Sequence, residues 1–250
     1  MRKVAVVFAA LVMTTGTLSA APPDVCGTSD VELGTNFPLP RAAKAVAQSR
    51  HLDVLVMGAG SSILPGPNGA AMAYPTRLQM ALAAKLPGVE VKVTSNVKAR
   101  RTAGDMVREL PESLKAKPAL MIWQTGTVDA MFGVDPDLFS FTLDRGIDLA
   151  HAAGADVVLM NMQYSPRTES MIALGNYAEG MRWTALQRDV PLFDRFGLMR
   201  QWSELGTFDF FSTTNKLDIA RGVHNCIGRL LADFVLESIT RRGETDSTGR

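Results

Sequence analysis

An excess of charge of either sign is what this 250-residue sequence most plainly lacks, with 26 Lys and Arg against 25 Asp and Glu. A nucleic-acid-binding domain shows a clear basic excess, so that class is set aside. Cysteine is scarce: Cys26 and Cys226 are the whole supply, too far apart in sequence to suggest a metal site. Histidine is nearly as scarce, at three residues, which leaves few candidates for acid–base work. Internal repeats and low-complexity tracts are missing too. What is present is apolar. Hydrophobic residues make up 46% of the chain and charged ones 20%, a composition that supports one well-filled core.

The first residues read as separate from that core. Arg2 and Lys3 precede an uncharged apolar run, Val4 to Met13, followed by a stretch ending in Leu18-Ser19-Ala20-Ala21. This three-part order is the pattern of a cleavable secretory signal, with the cut expected after Ala20. The run is too short to serve as a permanent transmembrane anchor. The expected destination is periplasmic or secreted. There the two cysteines are either bridged, in the one intramolecular pairing they permit, or left as buried thiols. A Cys26–Cys226 bridge would contribute at most about 5 kcal/mol in the chain-entropy picture.

Five short apolar runs read as buried strands: Leu52 to Met57, Val89 to Val93, Ala119 to Trp123, Ala155 to Met160 and Val190 to Phe193. Helical stretches flank and separate them. These are Arg41 to Arg50, Pro75 to Leu86, Thr102 to Leu114 with a break near Pro111, Pro136 to Ala152, Ser170 to Gln187 and Leu217 to Ile239. The alternation predicts an α/β fold, a three-layer α/β/α sandwich around a central, mostly parallel five-stranded sheet. Ligands bind such sheets at the carboxyl ends of the strands. The loops after Met57, Val93, Trp123 and Met160 are therefore expected to share one functional rim.

On that rim stands Gly60-Ser61-Ser62-Ile63, directly after the first strand. A serine there is a candidate nucleophile, provided a base lies within hydrogen-bond reach. His51 precedes the first strand, on the far side of the sheet, and His151 ends a helix whose dipole suits it. His224, late in the chain, is the candidate base. Each residue also has a plain structural reading: Ser62 as a turn serine, His224 as a packed side chain. The basic pair Arg100-Arg101 reads as a solvated turn or as a charge aimed at an anion. Gln163-Tyr164 is a candidate cleft wall, and the 13 methionines read as core.

In the order of these blocks the chain resembles the SGNH (GDSL-like) hydrolase family. Gly60-Ser61-Ser62-Ile63 is similar to the family's G-D-S-L block, and Gly126-Thr127-Val128-Asp129 to its G-x-N-D block. Pro65-Gly66 and Ala73 to Leu78 also fit the family, and Gly154 to Met160, Gln163 to Arg167 and Val190 to Phe193 are similar to an exported bacterial branch of it. The resemblance spans Leu52 to Val235. It implies the flavodoxin-like SGNH fold, Ser62 as nucleophile and His224 as base. It implies oxyanion or substrate contacts at Arg100 and Gly126, with Asp129 either a further such contact or a cap or brace of the nucleophile loop, and no metal or organic cofactor. Three positions depart from the family. Val128 stands where an asparagine donor is usual, Arg100 where a glycine is usual, and Arg221 where the orienting aspartate is usual. Asp218 is the nearest acidic substitute.

The resulting expectation is a signal peptide over 1–20, a lead-in and helix over 21–51, an SGNH-like domain over 52–240 and a polar tail over 241–250. The expected activity is an exported serine esterase acting on an acyl or acetyl ester of a small molecule, lipid or glycan. The alternative is a catalytically weakened relative that binds a cell-envelope glycan or lipid.

Overall fold

A computed structural model of the chain describes residues 26–27 and 33–241. The signal-like segment 1–20, most of 21–32 and the tail beyond 241 lie outside the described residues. From the amino end come strand β1 (Gly34–Thr35), helix α1 (Pro40–Lys44) running into a π turn (Ala45–Ser49), and strand β2 (His51–Gly58). A 3-10 turn (Gly60–Ser62), α2 (Gly69–Met72) and α3 (Tyr74–Lys85) lead to β3 (Glu90–Val97). Then follow α4 (Ala103–Ser113), β4 (Leu120–Gln124), α5 (Thr127–Met131), α6 (Pro136–Ala152) and β5 (Asp156–Met160). The chain continues through α7 (Pro166–Met171), α8 (Gly175–Gln187), β6 (Leu192–Phe193), α9 (Arg195–Glu204) and α10 (Lys216–Thr240).

The sheet runs β1-β6-β5-β4-β2-β3. Strands β2 to β6 are mutually parallel, and β1 adds to β6 in the antiparallel sense. The five expected strands are all there, so their carboxyl ends share one rim. The sixth, β1, is a correction to the irregular lead-in. It is two residues long and begins with glycine, which gives no strand signal. Its register still demands that glycine, because a Cβ on Gly34 would meet the Leu192 carbonyl oxygen at 1.7 Å.

Alternation along β2 divides the core between two faces. Leu52, Val54 and Val56 pack with Leu78 and Leu82 of α3 and Ile227, Leu231 and Val235 of α10. Leu55 and Met57 pack with Met106 and Leu110 of α4 and Phe139, Leu143 and Ile147 of α6. Strands β4 and β5 are buried at every residue, as strands covered on both faces must be.

Three helix boundaries depart from expectation. Helix α4 runs through Pro111 unbroken, because the proline falls in its last turn and little helix remains to lose. The Ser170–Gln187 stretch divides into α7 and α8, with α7 starting earlier, where Ser165 caps it and Pro166 takes the first position. Helix α9 went unassigned in the sequence reading, and it carries a residue of the site.

Helices α3 and α10 are in close contact at Gly228, where a Cβ would come within 2.4 Å of the Arg77 Cβ and 2.9 Å of the Leu78 nitrogen. Two residues earlier on α10, Cys226 is bonded to Cys26, with the two Cα atoms 5.2 Å apart. Non-reducing peptide mapping is expected to find one Cys26–Cys226 linked pair. Ready alkylation of both thiols in the native, unreduced protein would contradict it.

Candidate active site

Strand β2 ends at Gly58, and the chain turns so tightly into Gly60–Ser62 that a Cβ on Gly58 would lie 2.4 Å from Ser62 Oγ. The turn presents two serines in different directions. Ser62 points inward and is 1% exposed. Its hydroxyl donates to Gln124 Oε1 at 2.9 Å and lies 3.1 Å from the Tyr74 hydroxyl. Ser61 is only partly buried. Its Oγ donates to the same Gln124 oxygen at 3.2 Å and receives Arg195 Nη1 at 3.4 Å. Gln124, the last residue of β4, also accepts the Ala59 N–H at 3.3 Å, so its carbonyl gathers three donors and fixes both serines.

His224 comes from α10. The Gly228 contact brings that helix against the start of α3, where the first N–H groups have no partner within the helix. Tyr74 is the first residue of α3, and its N–H donates to His224 Nδ1 at 3.0 Å. This contact fixes the tautomer: with Nδ1 accepting, the neutral ring carries its proton on Nε2. Burial, and then the charge of Arg195, lower the His224 pKa to about 3. The ring is therefore neutral at any ordinary pH.

Arg195 opens α9 immediately after β6 and is fully buried. Nη2 donates to the Ser61 carbonyl at 3.1 Å and to Gln163 Oε1 at 3.3 Å. The guanidinium lies 5.8 Å from the centre of the Tyr74 ring, while Nε has no acceptor among the described residues. Burial lowers its pKa to about 10, so it stays charged. Burial likewise raises the Tyr74 pKa, against smaller opposing effects of Ser62 and Arg195.

The sequence-derived pair Ser62 and His224 is not in hydrogen-bond contact. Tyr74 stands between them, its hydroxyl on Ser62 and its N–H on His224. Asp218 does not orient His224 either. On an α-helix six residues place two side chains about 120° apart around the axis, and Asp218, exposed, pairs with Arg221 at 3.0 Å. Asp129 is buried and holds two rim loops together. It accepts from the Ala103 N–H at 2.8 Å, the Thr125 hydroxyl at 3.2 Å and the Gly126 N–H at 3.3 Å. Burial raises its pKa against those hydrogen bonds. The Gly126 N–H is thus already committed.

Arg100 has φ +59°, a left-handed conformation that favours glycine, and its guanidinium lies 5.8 Å from the Phe132 ring centre. Arg101 is buried and held by Glu109, Asn96 and the Gly58 carbonyl. It is neither a solvated turn residue nor an anion-seeking charge. His51 opens β2 and pairs with Asp53 and Glu90. His151 lies in the last turn of α6, its pKa lowered by burial and then by Arg41.

A cavity of about 800 Å³ opens beside this cluster, with Gln163, Arg195 and His224 in its wall. Sequence reasoning missed Gln124, Tyr74 and Arg195 as site residues. Arg195 had a usable signal: a charge two residues past a buried strand falls on the functional rim.

Residues 25–241 match the model of a family described as Non-GDSL lipase-like. A search of curated proteins finds no match. Among solved structures the chain is similar to TesA, with 21% identity and a TM-score of 0.56 over 75% of this chain and 98% of that one. It is similar to a lipase/acylhydrolase from Enterococcus faecalis, with 18% identity and a TM-score of 0.58 over 75% and 95%. An acetylxylan esterase from Geobacillus stearothermophilus shows 16% identity and a TM-score of 0.57 over 76% and 95%. At these identities the likeness is one of fold.

Proposed function

We infer that this chain, which belongs to the Non-GDSL lipase-like family, hydrolyses a carboxylic ester bound in the cavity beside Ser61, Arg195 and His224. The observation that carries the reading is the convergence of these three residues at the carboxyl ends of the parallel strands, next to a cavity large enough for an acyl ester. Ser61 takes the nucleophile's role that the family resemblance gave to Ser62, because its hydroxyl meets a cavity-wall residue. Gln124 orients that hydroxyl, and the Arg195 charge beside Oγ favours the negative charge that develops on attack. An amide oxygen is too weak a base to take the proton. His224, the one imidazole in the cavity wall, can take it when its Nδ1 lone pair is released by the Tyr74 N–H and turned to the cavity.

The ester is an acyl or acetyl one on a lipid, glycan or small molecule, the kinds of bond for which the similar acylhydrolase and acetylxylan esterase are named. The place of action is outside the cytoplasm. The signal-like start and the Cys26–Cys226 bridge support this, since disulfides persist in oxidising compartments. A second reading, a weakened relative that binds such a molecule without turning it over, is favoured by one observation. In the resting tautomer His224 offers the cavity a donor and no lone pair.

A fluorophosphonate probe on folded recombinant protein separates the two. A covalent adduct on the peptide that contains Ser61 is expected. No adduct and no turnover of p-nitrophenyl acetate by a protein with a cooperative melt would overturn the hydrolase reading.

A further inference from the structure

Arg195 is fully buried, yet among the described residues it meets no carboxylate: its partners are the Ser61 hydroxyl and carbonyl and the Gln163 side-chain oxygen. A charge taken out of water needs an opposite charge, and neutral acceptors repay its desolvation poorly. Its Nε, also buried, has no acceptor at all among the described residues. The side chain belongs to the cavity wall, where Gln163 Oε1 accepts from its Nη2. On the same wall His224 has Nδ1 occupied, which leaves Nε2–H as a donor. The rest of the wall includes the apolar Met199, Phe210 and Ile219 and the charged Arg167, Asp209 and Lys216.

We propose that this cavity is a carboxylate site, which takes a monocarboxylate with an apolar tail. The head group replaces Gln163 Oε1 on Arg195 and has His224 Nε2–H as a second donor, while the tail lies along Met199, Phe210 and Ile219. The exchange puts a charged acceptor where a neutral one was, which makes the stronger hydrogen bond. The site does not depend on Ser61 being reactive. In the hydrolase reading, it is where the released acid is held, so the enzyme is inhibited by its own product. In the binding reading, it is the ligand site itself.

Calorimetry on the full chain with octanoate, octanol and octylamine tests this. Octanoate is expected to bind at least about tenfold more tightly than octanol, with octylamine weaker still. Arg195→Met removes the preference for octanoate over octanol. Gln163→Ala removes the competing acceptor from Arg195 and tightens octanoate by several-fold. Ile219→Trp fills the tail region and weakens it, and serves alone should Arg195→Met fail to fold. Octanol binding as tightly as octanoate, no octanoate binding by the folded wild type, or unchanged octanoate affinity in both Gln163→Ala and Ile219→Trp would each overturn the proposal. A product-free assay of turnover is separate from these readouts, so a protein that binds octanoate but takes no fluorophosphonate loses only the hydrolase reading.

Discussion

Ser61→Ala is expected to lower ester turnover by about a thousandfold or more and to abolish covalent labelling, whereas Ser62→Ala keeps most of both. The two serines share an acceptor but not an environment. Ser62 Oγ is enclosed, its proton on Gln124 and its lone pair facing the Tyr74 hydroxyl. Nothing there draws the proton away, and no ester reaches the oxygen. Removing it instead strands the buried Tyr74 hydroxyl, a loss of about 1–3 kcal/mol in stability. Ser61 is the opposite case, bonded to a side chain in the cavity wall and only partly buried. Its removal takes from the buried Arg195 Nη1 its hydrogen-bond acceptor, so it too lowers stability. Turnover of p-nitrophenyl acetate and a thermal melt, measured on both variants, separate the two roles: both variants melt lower, and only Ser61→Ala loses its activity. A labelled Ser61→Ala protein and an unlabelled Ser62→Ala protein would restore Ser62 as the nucleophile.

The sheet was legible because burial on two faces writes itself into a strand as an unbroken apolar run, as in Leu120 to Trp123 of β4 and Val157 to Met160 of β5. The position of the rim followed from the parallel order alone. The pairing within the site was not legible. Whether Ser61 or Ser62 meets Arg195 of the cavity wall depends on a 3-10 turn in which Gly58 fits closely against Ser62. Nor does any pattern show that the N–H of Tyr74, a helix's first residue, occupies His224 Nδ1. That contact exists because Gly228 lets two helices meet, 150 residues apart in sequence at the hydrogen bond itself. Asp218 failed for a simpler reason: a six-residue spacing suits a bent helix start, and α10 already begins at Lys216.

Acid is expected to destabilise the protein through His224, besides the carboxylates of Asp105 and Glu109, whose pKa values Thr102 and Lys98 lower. In the unfolded chain the imidazole binds a proton below about pH 6.5. In the native state, burial and then Arg195 hold its pKa at about 3. Between these values the unfolded state binds more protons than the native state, so stability falls as pH falls. The contribution is present in full above the unfolded value and is lost progressively down to the native one. At pH 4 the loss is about 3 kcal/mol, or roughly 6–12 °C in melting temperature for a domain of this size. Asp129 acts in the opposite sense, since burial raises its pKa and the native state gains its proton first. His224→Gln isolates the imidazole, because the amide oxygen can still accept the Tyr74 N–H while nothing there titrates, and Asp129 is common to both proteins. Melting temperatures taken from pH 7 to pH 4 are expected to drop steeply for wild type and much less for His224→Gln. Parallel curves would show that His224 takes up its proton in the native state as readily as in the unfolded chain, and the neutral, Nδ1-accepting ring would have to be abandoned.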